Sequence, residues 1–181
     1  MTGDKPSHQI NSRNGAGGSA GGLEIDTPVV ADGPALYRIT RDSAVLDVNS
    51  SYAYLLWCRD FAHTSAVART DGGVVGFVTG YLRPDAPDTL VVWQIAVDAS
   101  QRGGGVAGKL LDALVDRVLD RGVRYLETTI TPDNEPSIKL FTAFARRQGA
   151  DVERSELFAA ELFPDAHLGE DLYRIGPFAP N

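Results

Sequence analysis

VDASQRGGGVAGKLLDAL, residues 97–114, decides the fold, because three nucleotide-binding patterns overlap in it and each belongs to a different architecture. Gly103, Gly105 and Gly108 satisfy the dinucleotide pattern G-x-G-x-x-G; residues 103–109 read as most of a P-loop, G-x-x-x-x-G-K; Arg102, Gly105 and Ala107 form R-x-x-G-x-A. A P-loop needs Ser or Thr after its lysine to hold magnesium, and Leu110 follows Lys109, so that reading fails at a residue its chemistry requires. The dinucleotide reading needs the first strand of a parallel βαβ unit before the glycines and an acidic residue about 20 positions on, at a strand end. Here the glycines follow an antiparallel meander in mid-chain, and Glu127 sits inside a strand.

The third pattern fits its surroundings. LVVWQIAV (residues 90–97) is a strand, and beyond the glycines Ala107, Leu110, Leu111, Leu114, Val115 and Val118 recur at three and four residues, an amphipathic helix that ends before Gly122. Strand, glycine turn and helix together present backbone N–H groups at a helix N-terminus, where the macrodipole favours a diphosphate. Three consecutive glycines open a helix badly unless a ligand must approach the backbone. Arg102 adds a local cation.

Working outward, the chain has 181 residues, 43% hydrophobic and 23% charged, enough apolar material for one globular domain. A net charge of −7 disfavours a nucleic-acid partner and suits a small cationic substrate. No apolar run is long enough to cross a bilayer, the start lacks a signal-peptide pattern, and the lone Cys58 excludes an internal disulfide, so a cytoplasmic protein is expected. Residues 1–32, rich in Gly, Ala, Ser and Pro, read as a disordered N-terminal tail, and 33–181 as the domain. Within it the patterns predict a strand at 37–39, two short helices from Arg41 broken near Asn49, with Ser50 or Ser51 capping the second, and a hairpin of 65–69 with 74–82. Further strands are expected at 123–130, 152–157 and 171–175, and a helix at 136–147.

The strand at 90–97, the run RGGGVA (102–107) and NEPSIKLF (134–141) together resemble the two central motifs of the GNAT superfamily of acetyltransferases, in order and spacing. The resemblance implies an α/β fold with a mostly antiparallel twisted sheet, splayed at the cofactor site and flanked by helices, and acetyl-CoA as acetyl donor without a metal. It further implies that backbone groups of Ile95 and Val97 hold the pantetheine arm, that Arg102, Gly103, Gly105 and Ala107 surround the diphosphate, and that Asn134 touches the cofactor. Many members carry a tyrosine where Phe141 stands, to protonate the departing thiolate; Phe141 has no such proton.

LDVNSSYAYLLWCRDF (46–61), VWQIAVD (92–98), LETTITPDN (126–134), LFTAFAR (140–146) and HLGEDLYRI (167–175) resemble a narrower family, the L-2,4-diaminobutyrate acetyltransferases of ectoine biosynthesis. This likeness implies a γ-amine acceptor and a homodimer. A diamino acid needs an anion for its α-ammonium and donors for its carboxylate. Asp47 fits the first need, and Asn49, Ser51 and Tyr52 the second, although an aspartate before a helix is often a cap. Trp93 suits the methylene chain, or equally the core. The attacking amine must be neutral, so a base is useful; His167, with Glu170 three residues on, is the best candidate pair, while its bland reading is a surface loop. Acetylation of another small amine, and a non-catalytic acyl-CoA sensor, remain as rival expectations.

Overall fold

A computed structural model describes residues 22–43, 46–165 and 167–179. One seven-stranded sheet runs through the molecule in the order β1-β2-β3-β4-β5-β7-β6, antiparallel throughout except where β4 meets β5. Its strands are β1 (Glu24–Asp26), β2 (Ala66–Thr70), β3 (Gly73–Arg83), β4 (Ala86–Val97), β5 (Tyr125–Ile130), β6 (Asp151–Phe158) and β7 (Glu170–Gly176). Helices α1 (Gly33–Ser43) and α2 (Ser51–Asp60) pack beside Phe77, Val67 and Ala96, whereas α3 (Val106–Leu119) and α4 (Glu135–Gln148) form the larger core with Leu90, Val92, Leu126 and Ile175. The expected mixed fold is therefore present.

Two expectations for the N-terminal part need correction. The tail predicted to reach Asp32 ends earlier: β1 pairs with β2, and Leu23 and Ile25 pack against the main core. Asp32 itself is buried and takes both η nitrogens of Arg69 at 2.7 Å. Burial raises the Asp32 carboxyl, but Arg69 and the Val29 N–H outweigh it and hold the group below its ordinary value. Three residues of strand among Gly and Pro give too short an alternation to register in sequence. Residues 1–21 of the expected tail lie outside the described residues.

The strand predicted at 37–39 is helix instead. Leu36, Ile39, Thr40 and Ser43 are buried on one face of α1, the i, i+3, i+4, i+7 pattern, and this longer periodicity overrides the strand preference of three residues. Helix α1 thus begins at Gly33, not Arg41. Ser50 stands at the N-cap of α2 but makes no side-chain cap bond.

A bulge in β4 sets up the functional region. Thr79 pairs with Gln94 and Gly80 with Val92, so Trp93 is the extra residue. Because strand side chains alternate, one inserted residue reverses the faces: Leu90 and Val92 face the α3–α4 core, and beyond the bulge Ile95 and Val97 take that side while Ala96 turns to α1 and α2. Pairing of β4 with β5 stops at Val91 and Glu127, so the two strands part just where the bulge lies.

Gly80 makes the bulge possible: a Cβ there would lie 2.6 Å from the Val91 carbonyl oxygen and 3.0 Å from that of Thr64. Gly80→Ala is expected to cost about 1–3 kcal/mol through overpacking. The drop in the thermal unfolding midpoint measures it, and an unchanged midpoint would show that the strands have room to spare.

Candidate active site

Ile95, Val97, Arg102, Ala107, Asn134 and Ser137 line a cleft of about 350 Å³ in the gap where β5 leaves β4. Beyond β4 the turn at Gly103 and Gly105 takes φ of 79° and 74°, a left-handed backbone open to glycine and costly to other residues. Gly105 is the N-cap of α3 and offers no side-chain cap. The first N–H groups of α3 therefore point out of the helix without intrahelical partners, beside a turn where neither Gly103 nor Gly105 has an atom within 4 Å of its notional Cβ. That donor set fits a diphosphate in contact with main chain. Arg102 is exposed, and its Nε–H donates to the Val97 carbonyl at 3.2 Å, which ties the turn to the end of β4. Arg38 secures the same end from α1, donating to both carboxylate oxygens of Asp98 at 2.8 and 2.9 Å. Asn134 has two roles: its Oδ1 accepts from the Ser137 N–H to cap α4, and it faces the cleft.

A second cleft, also about 350 Å³, opens on the other side of the bulge, with Trp93, Arg83, Glu127, Thr128, Thr129 and Phe158 around it. Trp93 is 53% exposed, so it is not a core tryptophan; it stacks on Trp57 with ring centroids 6.2 Å apart. Glu127 is buried, and its carboxylate accepts from Arg83 at 3.0 Å and from Arg174 at 2.5 Å. Arg174 in turn lies over the Tyr125 ring at 3.9 Å.

Asp47 and His167, from two loops, meet Glu170 at the start of β7. His167 Nε2 lies 3.7 Å from Glu170 and 3.8 Å from Asp47, close enough for charge and too far for a hydrogen bond. The imidazole stacks on Phe163 at 4.3 Å. The Glu170 carboxyl is pushed up, first by burial and further by Asp47 and Asp171, against a hydrogen bond from Thr129 and the charge of His167. Thr129 belongs to the second cleft, so this pair of groups stands at its edge. Asp47 is anchored through its backbone, its carbonyl accepting from Gln94 Nε2 at 2.9 Å.

Of the expected cofactor residues, Ile95, Val97, Arg102, Ala107 and Asn134 line one cleft while Gly103 and Gly105 form the turn next to Arg102 without lining it; Trp93 lines the other cleft, and Asp47, His167 and Glu170 form a cluster. Asn49, Ser51 and Tyr52 line neither cleft; Ser51 is exposed and Tyr52 is 64% exposed. Sequence reasoning missed Arg83 and the Thr128–Thr129 pair, and considered Glu127 only to reject a dinucleotide site. The signal was there: a carboxylate in mid-strand is too costly to bury unpaired, so a cation had to reach it. Among the described residues no group of His, Cys, Asp and Glu is arranged to hold a metal ion.

Residues 34–145 match the acetyltransferase (GNAT) family model. The L-2,4-diaminobutyric acid acetyltransferase of Streptomyces coelicolor is 63% identical over 160 residues, which is 87% of this chain and 94% of that protein. Its counterpart from Marinococcus halophilus is 46% identical over 91% of this chain and 95% of its own. Among solved structures, the diaminobutyrate acetyltransferase EctA from Paenibacillus lautus, in complex with L-2,4-diaminobutyric acid and coenzyme A, superposes with a TM-score of 0.84 at 36% identity, covering 89% of this chain and 98% of that one. By the parted strands, the glycine turn and these likenesses, the chain belongs to the GNAT family of acetyltransferases, among the L-2,4-diaminobutyric acid acetyltransferases.

Proposed function

We propose that the protein transfers the acetyl group of acetyl-CoA to the γ-amine of L-2,4-diaminobutyrate, giving N4-acetyl-L-2,4-diaminobutyrate in ectoine biosynthesis. The observation that carries this reading is 63% identity over 87% of the chain with an enzyme of that name. Two clefts flank the β4 bulge, one lined by Val91 to Trp93 and the other by Ile95 to Val97, which supports separate approaches for acceptor and donor.

Acetyl-CoA supplies an activated thioester carbonyl. In this assignment the N–H groups of Gly103, Gly105 and Ala107 bind its diphosphate with Arg102 alongside, and β4 from Ile95 to Val97 offers backbone groups to its arm and carbonyl. Trp93 covers the acceptor's methylene chain, and Asp47 attracts its ammonium charge. With a lysine-like pKa, a free amine at pH 7 costs up to about 4.6 kcal/mol to deprotonate. Glu170, directly or through His167, takes that proton as the amine nitrogen bonds to the acetyl carbon and the carbon–sulfur bond breaks. The thiolate takes a proton from solvent, because Phe141 is buried hydrocarbon.

Coenzyme A release measured with diaminobutyrate, ornithine, lysine and spermidine tests the acceptor, and NMR of the product tests the position. A strong preference for diaminobutyrate with acetylation at N4 is expected. Equal rates across the four amines would defeat the reading, and tight acetyl-CoA binding without turnover would leave the sensor.

A homodimer accompanies this reading. Its support is β6, exposed at every position and carrying Leu157 and Phe158 at 43% and 45% exposure, a poor edge to leave in water. Sedimentation equilibrium is expected to give twice the chain mass. A cytoplasmic location agrees with a soluble substrate pair, and no helix among the described residues is long and apolar enough to cross a membrane.

A further inference from the structure

Arg83 ends β3 on the face that carries Tyr81, and it reaches across the parted strands to Glu127. A guanidinium has five N–H groups. Arg83 uses three of them: Nε and one η nitrogen hold Asp85 at 3.1 and 2.9 Å, and the other η nitrogen holds Glu127 at 3.0 Å. Two N–H groups, one on each η nitrogen, are left over. The Asp85 side chain is 71% exposed in the β3–β4 turn and does not line the cleft, so water screens it. Glu127 is shared with Arg174, which also stays out of the lining. Two guanidiniums therefore share the Glu127 carboxylate, and Arg83 is the one that the cleft reaches.

We infer that Arg83 binds the α-carboxylate of the acceptor and thereby selects both an amino acid over a simple diamine and the γ-amine over the α-amine. The inference rests on the acceptor reading above. In that reading, four bonds separate the carboxylate carbon from the γ-nitrogen, ~5 Å when extended. Arg83 itself pairs with Ala86, but its guanidinium reaches Glu127, at the level where β4 and β5 last pair, Val91 with Glu127, and Trp93 is two residues, ~7 Å, further along. A carboxylate held on Arg83 carries the γ-amine to the Trp93 and Thr129 level, beside Glu170. The α-amine, one carbon from the anchor, stays behind. The earlier expectation that Asn49, Ser51 and Tyr52 supply the carboxylate donors has no support from this cleft, which they do not line.

Initial rates of wild type, Arg83→Met and Arg83→Lys with L-2,4-diaminobutyrate and with 1,3-diaminopropane, the same diamine without its carboxylate, test the inference. Arg83→Met is expected to raise the KM for diaminobutyrate about 10- to 100-fold, the size of a hydrogen-bonded charge contact, and to leave the KM values for diaminopropane and acetyl-CoA unchanged. Arg83→Lys recovers part of the loss, and Arg83→Met product contains acetyl on N2 as well as N4. Glu127 keeps Arg174 as partner in both variants, so the fold survives. Parallel losses on both amines, or an undiminished preference for diaminobutyrate with clean N4 product, overturn it. If wild type acetylates neither amine, the acceptor reading falls and this subsite with it.

Discussion

Replacing Glu170 by glutamine is expected to lower kcat by about 100-fold or more while leaving acetyl-CoA affinity unchanged. Glutamine keeps the size and the hydrogen bond to Thr129 but has no basic oxygen. The loss should depend on pH in a particular way. A base works only as the carboxylate, and burial with Asp47 and Asp171 nearby holds the Glu170 proton to higher pH than an ordinary glutamate would. Wild-type activity therefore falls as pH drops through this raised value, earlier than an unperturbed glutamate would allow, and the acid limb is absent in Glu170→Gln. Stability carries the opposite sign. A carboxyl whose pKa is higher in the folded state binds its proton more tightly there, so folding stability declines as pH rises from the unfolded pKa through the folded one. At neutral pH the uncharged glutamine is then expected to leave the unfolding midpoint equal or higher. A variant that loses activity and stability together would mark Glu170 as structural. An acid limb unchanged in Glu170→Gln and missing in His167→Gln would move the base to the imidazole.

Much of the fold is legible because hydrophobic period and punctuation agree over long stretches. Helix α3 shows its buried stripe of Leu110, Leu111, Leu114 and Val118 openly, and the hairpin of β2 and β3 is announced by Asp71, Gly72 and Gly73. Where elements are short or cues conflict, reading along the chain fails. Strand β1 has three residues, and Tyr37 to Ile39 favour a strand locally while the burial of Leu36, Ile39 and Ser43 makes them helix. The site divides in the same manner. The glycine turn proposed to hold the cofactor is contiguous, so spacing alone exposes it. The cleft proposed for the acceptor is assembled from β3, β4, β5, β6 and β7, and what unites Arg83 with Glu127 is a 44-residue separation closed by the sheet. Only a mid-strand carboxylate hinted that such a partner existed.

The other large effect concerns the turn that opened the reading. Gly105→Val is expected to weaken acetyl-CoA binding by roughly 100-fold, for two reasons that add. At φ of 74° a residue with a side chain gives up about 1–2 kcal/mol, and a β-branched one more, so the turn moves and takes its N–H groups with it. The Cβ also enters space that is now open, with no protein atom within 4 Å, which is the space a diphosphate would need to reach the backbone. Gly105→Asn separates the two contributions, since asparagine tolerates the left-handed region and places a side chain there all the same. If strain dominates, Asn binds close to wild type; if the approach of the ligand dominates, Asn is nearly as weak as Val. The lesion is confined to the turn, because Gly105 is exposed and its Cβ touches nothing in the core, so the unfolding midpoint should move by no more than the backbone strain. Calorimetric titration with acetyl-CoA measures all three proteins. Wild-type heat from Gly105→Val would mean that the diphosphate rests on some other part of the molecule, and the assignment of the cofactor cleft to this turn would be lost.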